Sequence, residues 1–120
     1  VGAHARMFTP AKTVSYESTV ALFAAQAMAG RPLLTGPVNL QMRVDFAIPA
    51  SWSMRKQRAA DAGLILPKVK PDADNVIKAV CDAINGVVWV DDVQVVDLTL
   101  KKLYSVQPGV AVRIELVEGE

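Results

Sequence analysis

The run from Val38 to Ile48 constrains the fold of this chain more than any other segment. Val38, Leu40, Met42, Val44, Phe46 and Ile48 alternate with Asn39, Gln41, Arg43 and Asp45, and Ala47 is neutral. Successive side chains of a β-strand point to opposite faces, so the pattern sets an apolar face on a core and a polar face toward water. Pro49 ends the strand because proline brings no ladder donor.

The remaining chain supplies helices and further strands. Tyr16, Val20, Phe23, Ala24, Ala27 and Met28 recur at helical spacing, which predicts a helix over about 15–29, with Ser15 as cap and Gly30 and Pro32 as stop. A short helix fits about 51–62, opened by Ser51, closed by Gly63 and carrying Arg55, Lys56 and Arg58. Leu64–Pro71 reads as a loop with Lys68 and Lys70. A third helix fits about 74–85, where Val76, Ile77, Val80, Cys81 and Ile84 form the buried stripe. Asp74, Lys78, Asp82 and Asn85 lie on its opposite face, and Gly86 is a natural C-terminal stop. Val87–Val90 reads as a short apolar strand broken by Asp91-Asp92. A strand over about 93–104, a turn at Gln107-Pro108-Gly109 and a strand over about 110–117 follow, the last two reading as a hairpin. Residues 1–14 show no periodicity. The expectation is one α+β domain spanning residues 1–120, a small mixed sheet with helices packed on it.

Hydrophobic residues make up 52% of the chain and charged residues 21%, which favours a packed core over disorder. No apolar run approaches the roughly 18 residues of a membrane span, and no signal-peptide pattern opens the chain. The chain starts at Val1 rather than methionine, as a fragment or processed form does. Cys81 is the only cysteine, so no internal disulfide forms, and a reduced thiol in an apolar helix stripe suits a cytoplasmic protein. A net charge of +1 names no partner, but its distribution is uneven. Six of thirteen bases lie between Arg55 and Lys78 and six of twelve acids between Asp72 and Asp97, so a basic stretch runs into an acidic one. A nuclease needs both, cations for phosphate and carboxylates for metal; the plain alternative is an ordinary mixed-charge surface.

The informative segment is Lys70-Pro-Asp-Ala-Asp-Asn-Val-Ile-Lys78. Asp72 and Asp74 flank the start of a helix, and Pro67 and Pro71 hold its approach extended. A second acidic pair, Asp91-Asp92, follows the Gly86 turn, and a returning strand would bring it beside the helix start. Magnesium takes hard oxygen ligands, so three converging aspartates could hold it, and Lys78 could meet the scissile phosphate. The structural alternatives are a helix cap at Asp72 or Asp74, a turn at Asp91-Asp92, and ordinary i,i+4 pairs of Lys78 with Asp74 and Asp82.

At these residues the chain resembles the RusA family of phage-type Holliday-junction endonucleases. The match runs through Lys70-Pro-Asp72-Ala-Asp74-Asn75-Val-Ile-Lys78, Asp82, Asn85-Gly86 and Asp91-Asp92-Val-Gln94-Val95, with weaker similarity at Phe8-Thr-Pro10, Tyr16-Glu17 and the C-terminal strands. The resemblance implies a homodimeric α+β domain that binds four-way DNA junctions in recombination and repair and nicks them with Mg²⁺, with Mn²⁺ as a substitute. It places the essential acids on Asp72, Asp74 and Asp92, the essential lysine on Lys78, and an acid of lesser weight on Asp91. Two symmetric cuts suit a two-fold protein. The family's opening strand and Gly/Arg/Pro-rich basic loop are not matched: the strand is expected to be missing, and the loop region reads Val1-Gly-Ala-His-Ala-Arg6.

Arg6, Arg55, Lys56, Arg58, Lys68 and Lys70 are the candidate DNA contacts, by phosphate contacts that give affinity without sequence choice; a solvated helix face is the alternative for the helical ones. His4 reads as a surface residue. Trp52 and Trp89 could stack on bases, but packing at a helix entrance and in the sheet suits them better. Two other functions fit the same residues: a non-catalytic junction-binding module such as a degenerate prophage relic, and a metal-dependent phosphodiesterase acting on small substrates.

Overall fold

The computed structural model describes residues 2–7 and 13–117, with side chains described from residue 17 onward. In chain order the elements are β1 (Gly2–Met7), α1 (Thr13–Met28), β2 (Val38–Ala47), α2 (Met54–Asp61), α3 (Ala73–Ile84), a 3₁₀ turn (Asp92–Gln94), β3 (Val95–Ser105) and β4 (Gly109–Leu116). This is the α+β arrangement that the alternation and the helical stripes predict.

β2 sits where its pattern demands. Val38, Leu40, Met42 and Val44 are buried, and the same face continues into Val110, Val112 and Ile114 of β4. Helix α1 covers it with Val20, Ala24 and Met28, and α3 adds Val76, Val80, Cys81, Ala83 and Ile84 to the same core. Asp45 departs from the expected polar face. Its side chain is buried and accepts a 2.7 Å bond from Arg43 Nε, two residues back on the same side of the strand. A buried carboxylate is tolerated only when paired, and Arg43 supplies the pair.

The sheet order is β1-β4-β2-β3, with β2 parallel to β3 and antiparallel to β4. The expected hairpin between the last two strands is therefore overturned, because β2 lies between them. Strands two places apart are separated by roughly 10 Å. The link 106–108 reverses the chain and still spans that gap at about 3.3–3.6 Å per residue. Gln107-Pro108-Gly109 thus encodes the reversal but not which strand lies alongside.

Other expectations shift for local reasons. Residues 1–14 are not featureless, since Gly2–Met7 pairs antiparallel with β4 and α1 begins at Thr13, two residues before Ser15. The segment expected to be a loop is thereby an edge strand, fixed by backbone pairing to β4 rather than by side-chain pattern. The cap of α2 is Ser53, not Ser51: its Oγ accepts from Lys56 N at 3.2 Å. Gly63, at φ +81°, closes that segment as expected. Val87–Val90 is not a strand. Gly86, at φ +77°, starts a tight turn in which Gly86 N donates to Trp89 O and Leu34 N donates to Val88 O. Trp89 is fully buried there, with its indole Nε1 donating to Asn85 Oδ1, so the packing role holds and base stacking does not. Trp52 meets Tyr104 of β3 edge-to-face at 5.3 Å, with Lys56 Nζ 4.0 Å from its ring centroid, which also makes it a packing residue at the start of α2.

Candidate active site at the two ends of helix α3

Asp72 holds the N-cap position of α3 in extended backbone, yet its side chain makes no capping hydrogen bond. Asp74 lies in the first turn, near the positive end of the helix dipole. Both are exposed, and so is Lys78 one turn further. Among the described residues no ion pair joins Lys78 to Asp74 or Asp82; the one contact in this region is a loose 3.8 Å approach of Lys70 Nζ to Asp72 Oδ2. The structural alternatives raised by the sequence, a side-chain cap and i,i+4 pairs, are not realised at this end.

A residue that the sequence did not single out fixes the approach. Lys102 of β3 donates from Nζ to Val69 O and to Pro71 O, tying the chain just before Asp72 to the sheet. Its signal is weak, one of two adjacent lysines in a strand of mixed polarity. Lys68 and Lys70 on this loop are exposed, as are Arg55, Lys56 and Arg58 on α2, so all five expected DNA contacts in the described part face solvent. The backbone of Arg6 pairs with Ala111 in the sheet; its side chain lies outside the described residues, as do Phe8-Thr-Pro10 and the side chain of Tyr16.

The second acidic pair is built differently. Asp91 caps the 3₁₀ turn, accepting from Asp92 N at 2.9 Å, and Gln94 completes a reciprocal capping box. Gln94 Oε1 accepts from Val90 N and Asp91 N, and its Nε2 donates to Leu34 O and Gly36 O. Asp91 is thus the turn residue that the structural alternative expected. Asp92 is less exposed, and its carboxyl is pushed above the usual range by desolvation, by a hydrogen bond with Asp91 and by the charges of Asp91 and Asp82. Burial, helped by the charges of Asp92 and Asp82, pushes the Cys81 thiol up to about 11, which keeps it protonated and inert.

These contacts locate Asp92. The charge of Asp92 is felt at Cys81, and that of Asp82 at Asp92, so it lies toward the last turn of α3, whereas Asp72 and Asp74 stand at the first. Eight residues of helix separate Asp74 from Asp82, roughly 12 Å at 1.5 Å per residue. Among the described residues no group of three or more His, Cys, Asp or Glu side chains could hold a metal ion. The expected convergence of Asp72, Asp74 and Asp92 within one subunit is therefore not found. The connection between the acidic pairs runs along α3 and turns at its far end, so the second pair stays at that end. One chain by itself does not fit a three-carboxylate magnesium site.

Comparison with known proteins adds the family. A family model described as Endodeoxyribonuclease RusA matches residues 1–115. The chain is also 43% identical over 117 residues to the uncharacterized protein YqaN of Bacillus subtilis (strain 168), an alignment covering 94% of this chain and 80% of the relative. No described helix is long and apolar enough to cross a membrane.

Proposed function

Because the chain belongs to the RusA endodeoxyribonuclease family, we propose that it resolves four-way DNA junctions by paired nicks, as a magnesium-dependent homodimer acting in recombination and repair. In this reading Asp72, Asp74, Asp92 and Lys78 are the catalytic set, Asp91 joins the three aspartates as a metal-side acid, and manganese substitutes for magnesium. The observation that carries it is the state of the α3 N-terminus. Asp72, Asp74 and Lys78 are exposed on one helix end, and none of the three makes a capping bond or a close ion pair there. Carboxylates beside a phosphate surface have little use in pure binding, whereas a bound divalent ion relieves their repulsion. Arg55, Lys56, Arg58, Lys68 and Lys70 would hold phosphates, and Lys102 keeps the Asp72 approach in place.

The split between the two ends of α3 places a condition on this reading. A second subunit must bring its Asp91–Asp92 turn to the α3 N-terminus of the first. The non-catalytic junction-binding module is the second reading, and the same split favours it. Two experiments separate them. Asp74→Asn should abolish magnesium-dependent nicking of a synthetic four-way junction while leaving junction binding intact; undiminished cutting removes Asp74 from the site. Mixing Asp74→Asn with Asp92→Asn protein should then restore nicking that neither variant shows alone, since a heterodimer holds one intact set. Tight junction binding with no cleavage in any divalent metal, by the parent chain, would establish the second reading. Competition by linear duplex as strong as by junction DNA would remove junction selectivity.

A further inference from the structure

Helices α1 and α3 cover only one face of the sheet. Their apolar stripes share a core with Leu40, Met42, Val44, Val110, Val112 and Ile114. The alternate residues of the same strands point the other way. The candidate active site belongs to the covered side: Lys102 is in register with buried Val44 and grips the chain before Asp72. Its neighbour Lys101 is exposed on the opposite face. Register aligns that open face in rows. Arg43 stands between Ala111 and Lys101, and Gln41 between Arg113 and Thr99. Arg6 and His4 of β1 take the register positions beside Ala111 and Arg113. Asp97 and Glu115 stand one row further, either side of Asn39. A groove of about 330 Å³ lies over the two basic rows, lined by Gln41, Arg43, Thr99, Lys101, Ala111 and Arg113.

The cations of the groove keep donors to spare. Arg43 and Arg113 each meet an acid two residues on through Nε, at Asp45 and Glu115. Their terminal amines make no hydrogen bond among the described residues. Asp45 is buried, so it holds Arg43 in place without standing in the groove. Lys101 has no ion-pair partner among the described residues. No aromatic ring lies on the open face of β2, β3 or β4. A surface that grips single-stranded nucleic acid offers rings for bases to stack on. This one offers donors alone, which suits the phosphates of a duplex whose bases stay paired.

We propose that the uncovered face of the sheet is a second DNA-binding surface, on which Arg43, Lys101 and Arg113 hold backbone phosphates of duplex DNA. The inference rests on DNA being the ligand in the reading above, but not on cleavage. The sheet stands between this groove and the α3 N-terminus. The duplex held here is therefore a different stretch from the one presented to Asp72 and Asp74. Gln41 and Thr99 add neutral donors between the cations. Contacts of this kind are indifferent to base sequence, release counterions and weaken with salt.

Anisotropy titrations of labelled duplex and four-way junction DNA, in chelator and at several salt concentrations, test this without any cutting. Lys101→Ala with Arg113→Ala should weaken binding of both DNAs at least about tenfold at low salt. The slope of log K against log salt should become shallower by about two, one for each phosphate contact removed. Arg43 is kept, because its loss would strand buried Asp45. Lys101→Arg with Arg113→Lys should bind close to the parent. Asp97→Lys, which turns the acid beside the groove into a base, should move affinity and slope the opposite way. Circular dichroism should match throughout, since all three side chains are exposed. Parent-like affinity and slope in the double alanine variant overturns the second surface and leaves the nuclease reading standing. A loss of affinity with an unchanged salt slope also overturns it, since phosphate contacts were then not removed. Binding that depends on Lys101 and Arg113 in a parent chain that cuts no junction supports the surface and removes the nuclease reading. A parent chain that binds neither DNA overturns both.

Discussion

The two ends of helix α3 carry carboxylates in nearly equal number but use them differently. At the C-terminal end the polar groups hold the fold together. Asn85 takes the Trp89 indole, Asp91 caps the following turn, and Gln94 ties that turn to the loop before β2. At the N-terminal end Asp72 occupies a cap position without capping, and Asp74 and Lys78 stand in solvent without a close ionic partner. Removing Trp89, Asn85 or Gln94 at the first end should therefore be felt in stability, and removing the acids at the second in function. A residue at the start of a helix is not explained by the helix merely because its type is a favoured cap.

The largest stability effect belongs to the C-terminal end. Trp89→Ala empties a fully buried site and should lower unfolding free energy by about 3–5 kcal/mol in a urea titration. A loss below about 1 kcal/mol would mean that the turn is not an anchor. Asp72→Asn should do the reverse. Asparagine caps as well as aspartate, so stability should stay within about 0.5 kcal/mol. Nicking should fall more than about a hundredfold, since even outer-shell partners of a metal cost 10–100-fold. Equal effects on stability and on cutting would erase the contrast between the two ends. Gln94→Ala should cost about 2 kcal/mol, because it leaves the amides of Val90 and Asp91 and the carbonyls of Leu34 and Gly36 short of a partner.

The smallest effect is chemical. The folded Cys81 thiol is raised from 9.0 to about 11. A raised folded value means that the native state holds the proton more tightly, so the stabilisation is complete below pH 9.0 and is lost as pH rises toward about 11. Native protein should resist alkylation near pH 8 and react at once when unfolded. Rapid labelling of the folded chain would show that the C-terminal end of α3 opens readily.

Much of the fold was legible from residues alone. The alternation at 38–48 fixed β2 and its buried face, and the stripes Val20-Ala24-Met28 and Val76-Val80-Ile84 fixed two helices and the sides they bury. Gly63 and Gly86 marked chain reversals because each occupies a left-handed backbone conformation that other residues rarely adopt. Less legible were the contacts that depend on distant partners: the burial of Asp45 and the grip of Lys102 on the loop before Asp72 leave no local pattern.

What the sequence determined by itself is the local part: periodicity, caps, turns and the acidic motif that the family shares, all set by interactions within a few positions. Tertiary structure decided adjacency. It placed β2 between β3 and β4 where a hairpin was expected, and it held the two acidic pairs at opposite ends of α3. The reason is physical. A turn specifies that the chain reverses, whereas neighbours in a sheet are chosen by which apolar faces can be buried together, and that is a property of the whole chain.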